Sequence, residues 1–214
     1  MDNSKIFADN KHGSLGYLEM REHLLPLIQA GQSALDLGIG TGPMTSPIAF
    51  AELSVTGVDS NKHRLSICQE AFAQANLKHL LTAIESDALE YMQTNTVKHH
   101  LVIMSDFLMF LTKTDGKEVI GLAYECLLPS GYIWITTMST SDEWYGDISS
   151  TQEPIDTDTF MAYSHCIGAN PICFYHPMEI EEYLQSMGAK IIFQTEKENN
   201  AGGMVNIILA QKPA

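Results

Sequence analysis

A chain of 214 residues that is 45% hydrophobic and 18% charged can bury one sizeable core and reads as one domain over 1–214. Its 26 Asp and Glu outnumber its 12 Lys and Arg, for a net charge of −14. That is the wrong sign for neutralising phosphates, which excludes nucleic acid as a partner. No apolar run approaches the roughly 20 residues of a membrane-spanning helix, and no membrane partner is expected.

Residues 1–32 read as an N-terminal cap and helix, polar over the first dozen positions. Tyr17 follows Gly13-Ser14-Leu15-Gly16, where an aromatic ring either covers a cationic ligand or packs into the core. Next comes Ala34-Leu-Asp-Leu-Gly-Ile-Gly-Thr-Gly-Pro-Met-Thr45. The apolar run through Asp36 predicts a buried strand, and Gly38, Gly40 and Gly42 predict a tight turn that brings a ligand close to bare backbone. A helix over 43–53 follows, with Pro43 in its first position and unpaired N–H groups facing the ligand. The third glycine stands one residue earlier than in the dinucleotide fingerprint. An acid two residues before the first glycine suits a cationic amino-acid ligand better than a pyrophosphate.

The second strand, Ser54 to Asp59, ends in a carboxylate 23 residues after Asp36; at a strand's carboxyl end, such a group can accept both hydrogens of a ribose diol. Ser60-Asn61 predicts the cap of a helix over 60–76. A third strand, Leu80–Ile84, precedes Asp87-Ala88, where Asp87 is equally a helix cap and a ligand contact. His99-His100 read as a solvated turn. The fourth strand, Leu101–Met104, delivers Ser105-Asp106-Phe107 to the sheet edge where α/β proteins bind ligands. A helix over 115–128 and a fifth strand, Tyr132–Thr137, complete the alternation expected of a parallel sheet covered on both faces.

Residues 139–176 are weakly periodic and rich in aromatics, among them Trp144, Tyr145, Phe174 and Tyr175. A stretch of that length predicts a substrate loop without regular structure. His165, Cys166, Cys173 and His176 are zinc-ligand types, but the paired short Cys spacing is missing and no metal is expected. A helix over 177–187 ends at Gly188. Strands at 189–196 and 204–210 flank a hairpin turn at Asn199–Gly203. Four cysteines without a CxxC pair point to a reducing, cytoplasmic location.

These landmarks, in this order over 34–138, resemble the class I S-adenosylmethionine-dependent methyltransferases. Leu127-Leu128-Pro129-Ser130-Gly131 is similar to that family's Leu-Lys-Pro-Gly-Gly entry to its fifth strand. The resemblance implies a Rossmann-like α/β fold: a seven-stranded, mostly parallel sheet with an antiparallel C-terminal hairpin strand. It implies S-adenosylmethionine as cofactor and S-adenosylhomocysteine as product. Asp36 and the backbone of Gly38, Gly40 and Gly42 would hold the methionine moiety, Asp59 with Ser60 the ribose, and Asp87 and Ala88 the adenine. Asp106 and Phe107 would lie near the sulfonium.

The Asn/Asp-Pro-Pro-Tyr tetrad of nucleobase methyltransferases is replaced here by Ser105-Asp106-Phe107-Leu108, so a small-molecule acceptor is expected. Tyr17, Trp144 and Tyr175 are the candidate acceptor contacts, His165 and His176 the candidate bases, and a monomer or homodimer the expected state. Residues 107–142, especially Leu108-Met-Phe-Leu111, also resemble the tellurite-resistance methyltransferases. However, Glu196–Asn200 lacks the His and Arg an oxyanion would need, and Phe174–Glu179 resembles a generic small-molecule pattern. A domain that binds the cofactor without turnover is the alternative of another class. An NAD-dependent oxidoreductase is disfavoured by the glycine spacing and the terminal hairpin.

Overall fold

The computed structural model describes residues 16–164, 168–199 and 202–214. Among the described residues nine strands form: β1 (Ser33–Leu37), β2 (Ser54–Asp59), β3 (Leu81–Glu85), β4 (His99–Ser105), β5 (Leu127–Met138), β6 (Thr159–Ser164), β7 (Gly168–Cys173), β8 (Lys190–Glu198) and β9 (Met204–Gln211). Seven of them make one sheet in the order β3-β2-β1-β4-β5-β9-β8, while β6 and β7 pair separately. The first five strands run parallel, and β9 lies antiparallel between β5 and β8. The strand order reverses between β1 and β4, so the carboxyl ends of β1 to β4 frame the crevice where an open α/β sheet receives ligands.

Both faces of the sheet are covered, which is why its central strands are apolar on both sides. Leu35 and Leu37 of β1, Val102 and Met104 of β4, and Ile133 and Ile135 of β5 fill one core. That core is completed by α4 (Ala88–Thr94), α5 (Lys113–Glu125) and α7 (Glu179–Ser186). The alternate residues Ala34, Leu101, Ile103 and Trp134 fill the other, as the two-residue period of a strand requires. Against them pack α2 (Ser46–Phe50), α3 (Lys62–Gln74) and an N-terminal helical segment. That segment starts as α1 (Tyr17–Glu19), widens into a π turn, Met20–Leu24, and then tightens into a 3-10 turn, Leu25–Leu27.

Three local expectations are corrected. The helix after the glycine turn begins at Ser46 with Pro47 in its first turn, and Pro43 stays in the turn itself. The Thr45 hydroxyl does not cap that helix; it donates to Asp36. His99 is a strand residue only 3% exposed, drawn into β4 because it pairs with Leu127 and its N–H donates to the Cys126 carbonyl. Residues 139–176 are largely regular: α6 (Glu143–Thr151) and the β6–β7 hairpin form a cap. The Asp142 carboxylate starts α6 by accepting the Trp144 N–H at 2.8 Å. The cap's core is Ile148, Phe160, Ile172 and Phe174, so the aromatic residues largely serve packing. Among the described residues no helix is long and apolar enough to cross a membrane.

Candidate active site

A cleft of about 500 Å³ opens along the carboxyl edge of the sheet. Gly38 comes from the end of β1, Asp59, Ser60, Asn61 and Arg64 from the β2–α3 junction, and Ser86, Asp87 and Ala88 from the β3–α4 junction. Asp106, Phe107, Phe110 and Leu111 follow β4, and Asn170 of β7 reaches in from the cap. Of the expected cofactor residues, Gly38, Asp59, Ser60, Asp87, Ala88, Asp106 and Phe107 therefore share one cavity.

The glycine turn is tied to β2 by backbone and side chain. The Gly38 and Ile39 N–H groups donate to the Val58 carbonyl at 2.8 and 3.1 Å. The Gly40 N–H donates to Asp59 Oδ2 at 2.9 Å, and the Asn61 N–H to Oδ1 at 2.8 Å. Each carboxylate oxygen retains a further acceptor position. Two of the glycines are dictated by contact as well as by φ. A Cβ on Gly38 (φ 75°) would lie 2.6 Å from a Phe107 ring carbon, and one on Gly42 (φ 84°) 2.8 Å from Cys68 Sγ.

Asp36 lies below this turn, 2% exposed, with the Thr45 hydroxyl donating to it. Burial pushes its carboxyl up to about 7, an effect the Thr45 hydrogen bond opposes and the Asp59 charge reinforces. Asp87 caps α4, its Oδ1 accepting the Leu89 and Glu90 N–H groups at 2.8 and 3.1 Å. Asp106 adopts φ 54°, which is uncommon for a residue with a side chain and costs of order 1–3 kcal/mol. Thr136 over-determines that conformation. Its hydroxyl donates to Asp106 Oδ1 at 2.9 Å, and its hydroxyl and carbonyl oxygens lie 3.0 and 3.3 Å from the Asp106 N–H.

The expected acceptor contacts fall elsewhere. Tyr175 is fully buried in the core beneath Gly116. Trp144 is 40% exposed on α6, edge-on to Phe174 at 5.8 Å. Tyr17 packs at the margin of the second core with Arg21 6.0 Å from its ring centre. His176 is exposed, its Nδ1 3.0 Å from the Thr140 hydroxyl and its Nε2 3.9 Å from Asp158; His165 and Cys166 lie outside the described residues. Sequence reasoning missed Asn61, Arg64, Phe110, Leu111 and Asn170. The first two stand two and five residues beyond Asp59, within the first turn of α3, and that spacing could have revealed them. Asn170 carries no such signal, because only the β6–β7 pairing brings it to the cleft.

The methyltransferase domain family matches residues 34–131. No curated protein matches the sequence. Among solved structures, a SAM-dependent methyltransferase of Methanosarcina mazei superposes with a TM-score of 0.73 at 19% identity, over 92% of this chain and 98% of that one. The Burkholderia thailandensis 1,6-didemethyltoxoflavin-N1-methyltransferase, solved with 1,6-didemethyltoxoflavin and S-adenosylhomocysteine, gives 0.67 at 14% identity over 100% and 83%. TehB of Haemophilus influenzae gives 0.68 at 15% over 98% and 67%. At these identities the likeness is one of fold.

Proposed function

We propose that this protein, whose residues 34–131 match the methyltransferase domain family, is a class I S-adenosylmethionine-dependent methyltransferase acting on a small molecule. The observation that carries the reading is the Asp59 carboxylate, held in the cleft by the Gly40 and Asn61 N–H groups. On this reading Asp59 accepts from the ribose hydroxyls beside the turn that passes the methionine moiety. Asp87 and Ala88 bound the adenine end, and Asp106 and Phe107 lie on the β4 side, toward the sulfonium. The buried Asp36 supplies a counter-charge to the cofactor's α-ammonium from beneath the turn.

S-adenosylmethionine brings an already activated methyl group. The protein's part is to align an acceptor behind that methyl and to exclude water, and good alignment supplies about 7–11 kcal/mol. Phe107, Phe110 and Leu111 form the apolar wall suited to this, and Asn170 carries the cap's contribution.

The test is calorimetric. S-adenosylhomocysteine should bind at one site per chain and NAD should not compete. A protein that binds NAD, or neither ligand, would remove the proposal. A protein that binds S-adenosylhomocysteine but transfers no methyl from S-adenosylmethionine across a broad acceptor panel would support the binding-module alternative.

A further inference from the structure

Besides Asp59, the β2–α3 and β3–α4 junctions bring Ser60, Asn61, Arg64, Ser86 and Asp87 to one end of the cleft. Carboxylates, hydroxyls and amides meet a ligand at its edges, through hydrogen bonds. Arg64 differs from them, because a guanidinium is flat and offers a face as well as donors.

Local structure fixes where that side chain starts. Asp59 Oδ1 accepts the Asn61 N–H at 2.8 Å, and Asn61 Oδ1 accepts the Arg64 N–H at 3.1 Å. The end of β2 and the first turn of α3 are thereby one unit, with Arg64 five residues after Asp59. The neighbouring Lys62 pairs with Glu85 at 3.8 Å. Arg64 is exposed, and among the described residues its guanidinium forms no ion pair, although Asp59 and Asp87 line the same end of the cleft. The field of those two carboxylates keeps the cation at the cleft, while its plane stays open to a ligand.

Resting on the methyltransferase reading, we infer that Arg64 is the platform for the cofactor's adenine, its guanidinium lying along one face of the base. A guanidinium stacks on a nucleobase as it does on an aromatic side chain. A cation over a π face is worth about two- to thirtyfold in affinity, from exposed to desolvated settings. A phosphate on the ribose would also attract Arg64, but it would be repelled by the Asp59 carboxylate. An uncharged base gains from the cation without that penalty. Arg64 on this inference binds and orients the cofactor, and no step of methyl transfer passes through it.

The experiment separates the base from the rest of the cofactor. Wild type and Arg64→Ala are titrated by calorimetry with S-adenosylhomocysteine and, in competition with it, with S-ribosylhomocysteine, which has no base. Arg64→Ala keeps the backbone N–H that closes the α3 cap and places a good helix former in its first turn. It should weaken S-adenosylhomocysteine about tenfold and leave S-ribosylhomocysteine unchanged. An unchanged affinity for S-adenosylhomocysteine overturns the inference, and so does an equal loss for both ligands. Arg64→Lys keeps the charge without the plane and should recover only part of the loss; full recovery assigns the effect to charge alone and overturns the stacking. Tighter binding of adenosine 2′-phosphate than of adenosine, abolished in Arg64→Ala, would make Arg64 an anion receiver and overturn it too. If S-ribosylhomocysteine displaces nothing from either protein, adenosine becomes the probe: about tenfold weaker binding to Arg64→Ala supports the inference, and equal binding overturns it. Failure of S-adenosylhomocysteine to bind the wild type at all is a separate result, and it strikes the parent reading first.

Discussion

Asp59 Oδ2 accepts the Gly40 N–H at 2.9 Å, so one carboxylate at the end of β2 fixes the glycine turn that follows β1. The same group lines the cleft and therefore both shapes the turn and forms part of the cleft wall. Asp59→Ala should weaken S-adenosylhomocysteine binding by about 1.5–3 kcal/mol, roughly ten- to hundredfold, for loss of a charged acceptor. Asp59→Asn keeps an acceptor for one N–H and should lose less. An unchanged dissociation constant in the alanine variant, measured by calorimetry, would mean the ribose lies elsewhere.

Cofactor affinity should depend on pH through Asp36. Its carboxyl is raised by burial to about 7, while a cationic amino-acid ligand favours the ionised form. Below that pH the carboxyl must lose a proton before it can act as counter-charge, so affinity should fall by up to about tenfold per unit. Binding near neutrality should release a proton, visible as a buffer-dependent enthalpy. For the free protein the sign is opposite. A carboxyl raised above its unfolded value contributes stability that is complete below about pH 4 and is lost as pH rises through about 7. Asp36→Asn should flatten both profiles.

Burial lowers the pKa of His99, with His100 adding to the effect, and neither ring nitrogen has a hydrogen-bond partner among the described residues. A histidine held neutral contributes stability that is complete above its unfolded value, about 6.5, and is lost as pH falls below it. The melting temperature of wild type should therefore fall relative to that of His99→Leu as pH drops from 8 to about 5. A gap that stays constant across that range would show that His99 does not titrate with unfolding.

Lys113 joins the start of α5 to the cap and to α7, 2% exposed and with its ammonium 4.3 Å from the Tyr175 ring centre. Lys113→Met removes the buried cation between Asp158 and Glu179, leaving Glu179 only the more exposed Lys117 at 3.2 Å, and should cost about 3–5 kcal/mol in urea unfolding. Adding Glu179→Gln should recover part of that loss. Additivity of the two substitutions would show that the pair is not coupled.

The β-strands, their parallel order and the closing hairpin could be read from local pattern, because apolar runs ending in Gly, Asp or Ser are punctuated by turn residues wherever a strand meets its helix. The same physics made Asp59, Asp87 and Asp106 legible: each ends or follows an apolar run, and the carboxyl ends of parallel strands converge on one edge whatever the intervening helices contain. Local pattern failed where long-range contact outweighed propensity. His99 reads as solvent-facing, yet pairing with Leu127 buries it. Tyr175 reads as a ligand contact, yet it fills the space beneath Gly116. The cap's strands hold Pro171 and Gly168 and carry no clear two-residue period, so their hairpin depends on packing Phe160 and Ile172 against Phe174 and α6. Sequence by itself thus determined the sheet, its ligand-binding edge and the acids along it, since these follow from nearest neighbours in the chain. Tertiary structure alone decided what the cap contributes to the cleft: Asn170 lines it from a hairpin far beyond Asp106 in the chain, and no local rule relates positions brought together only by the packing of one layer on another.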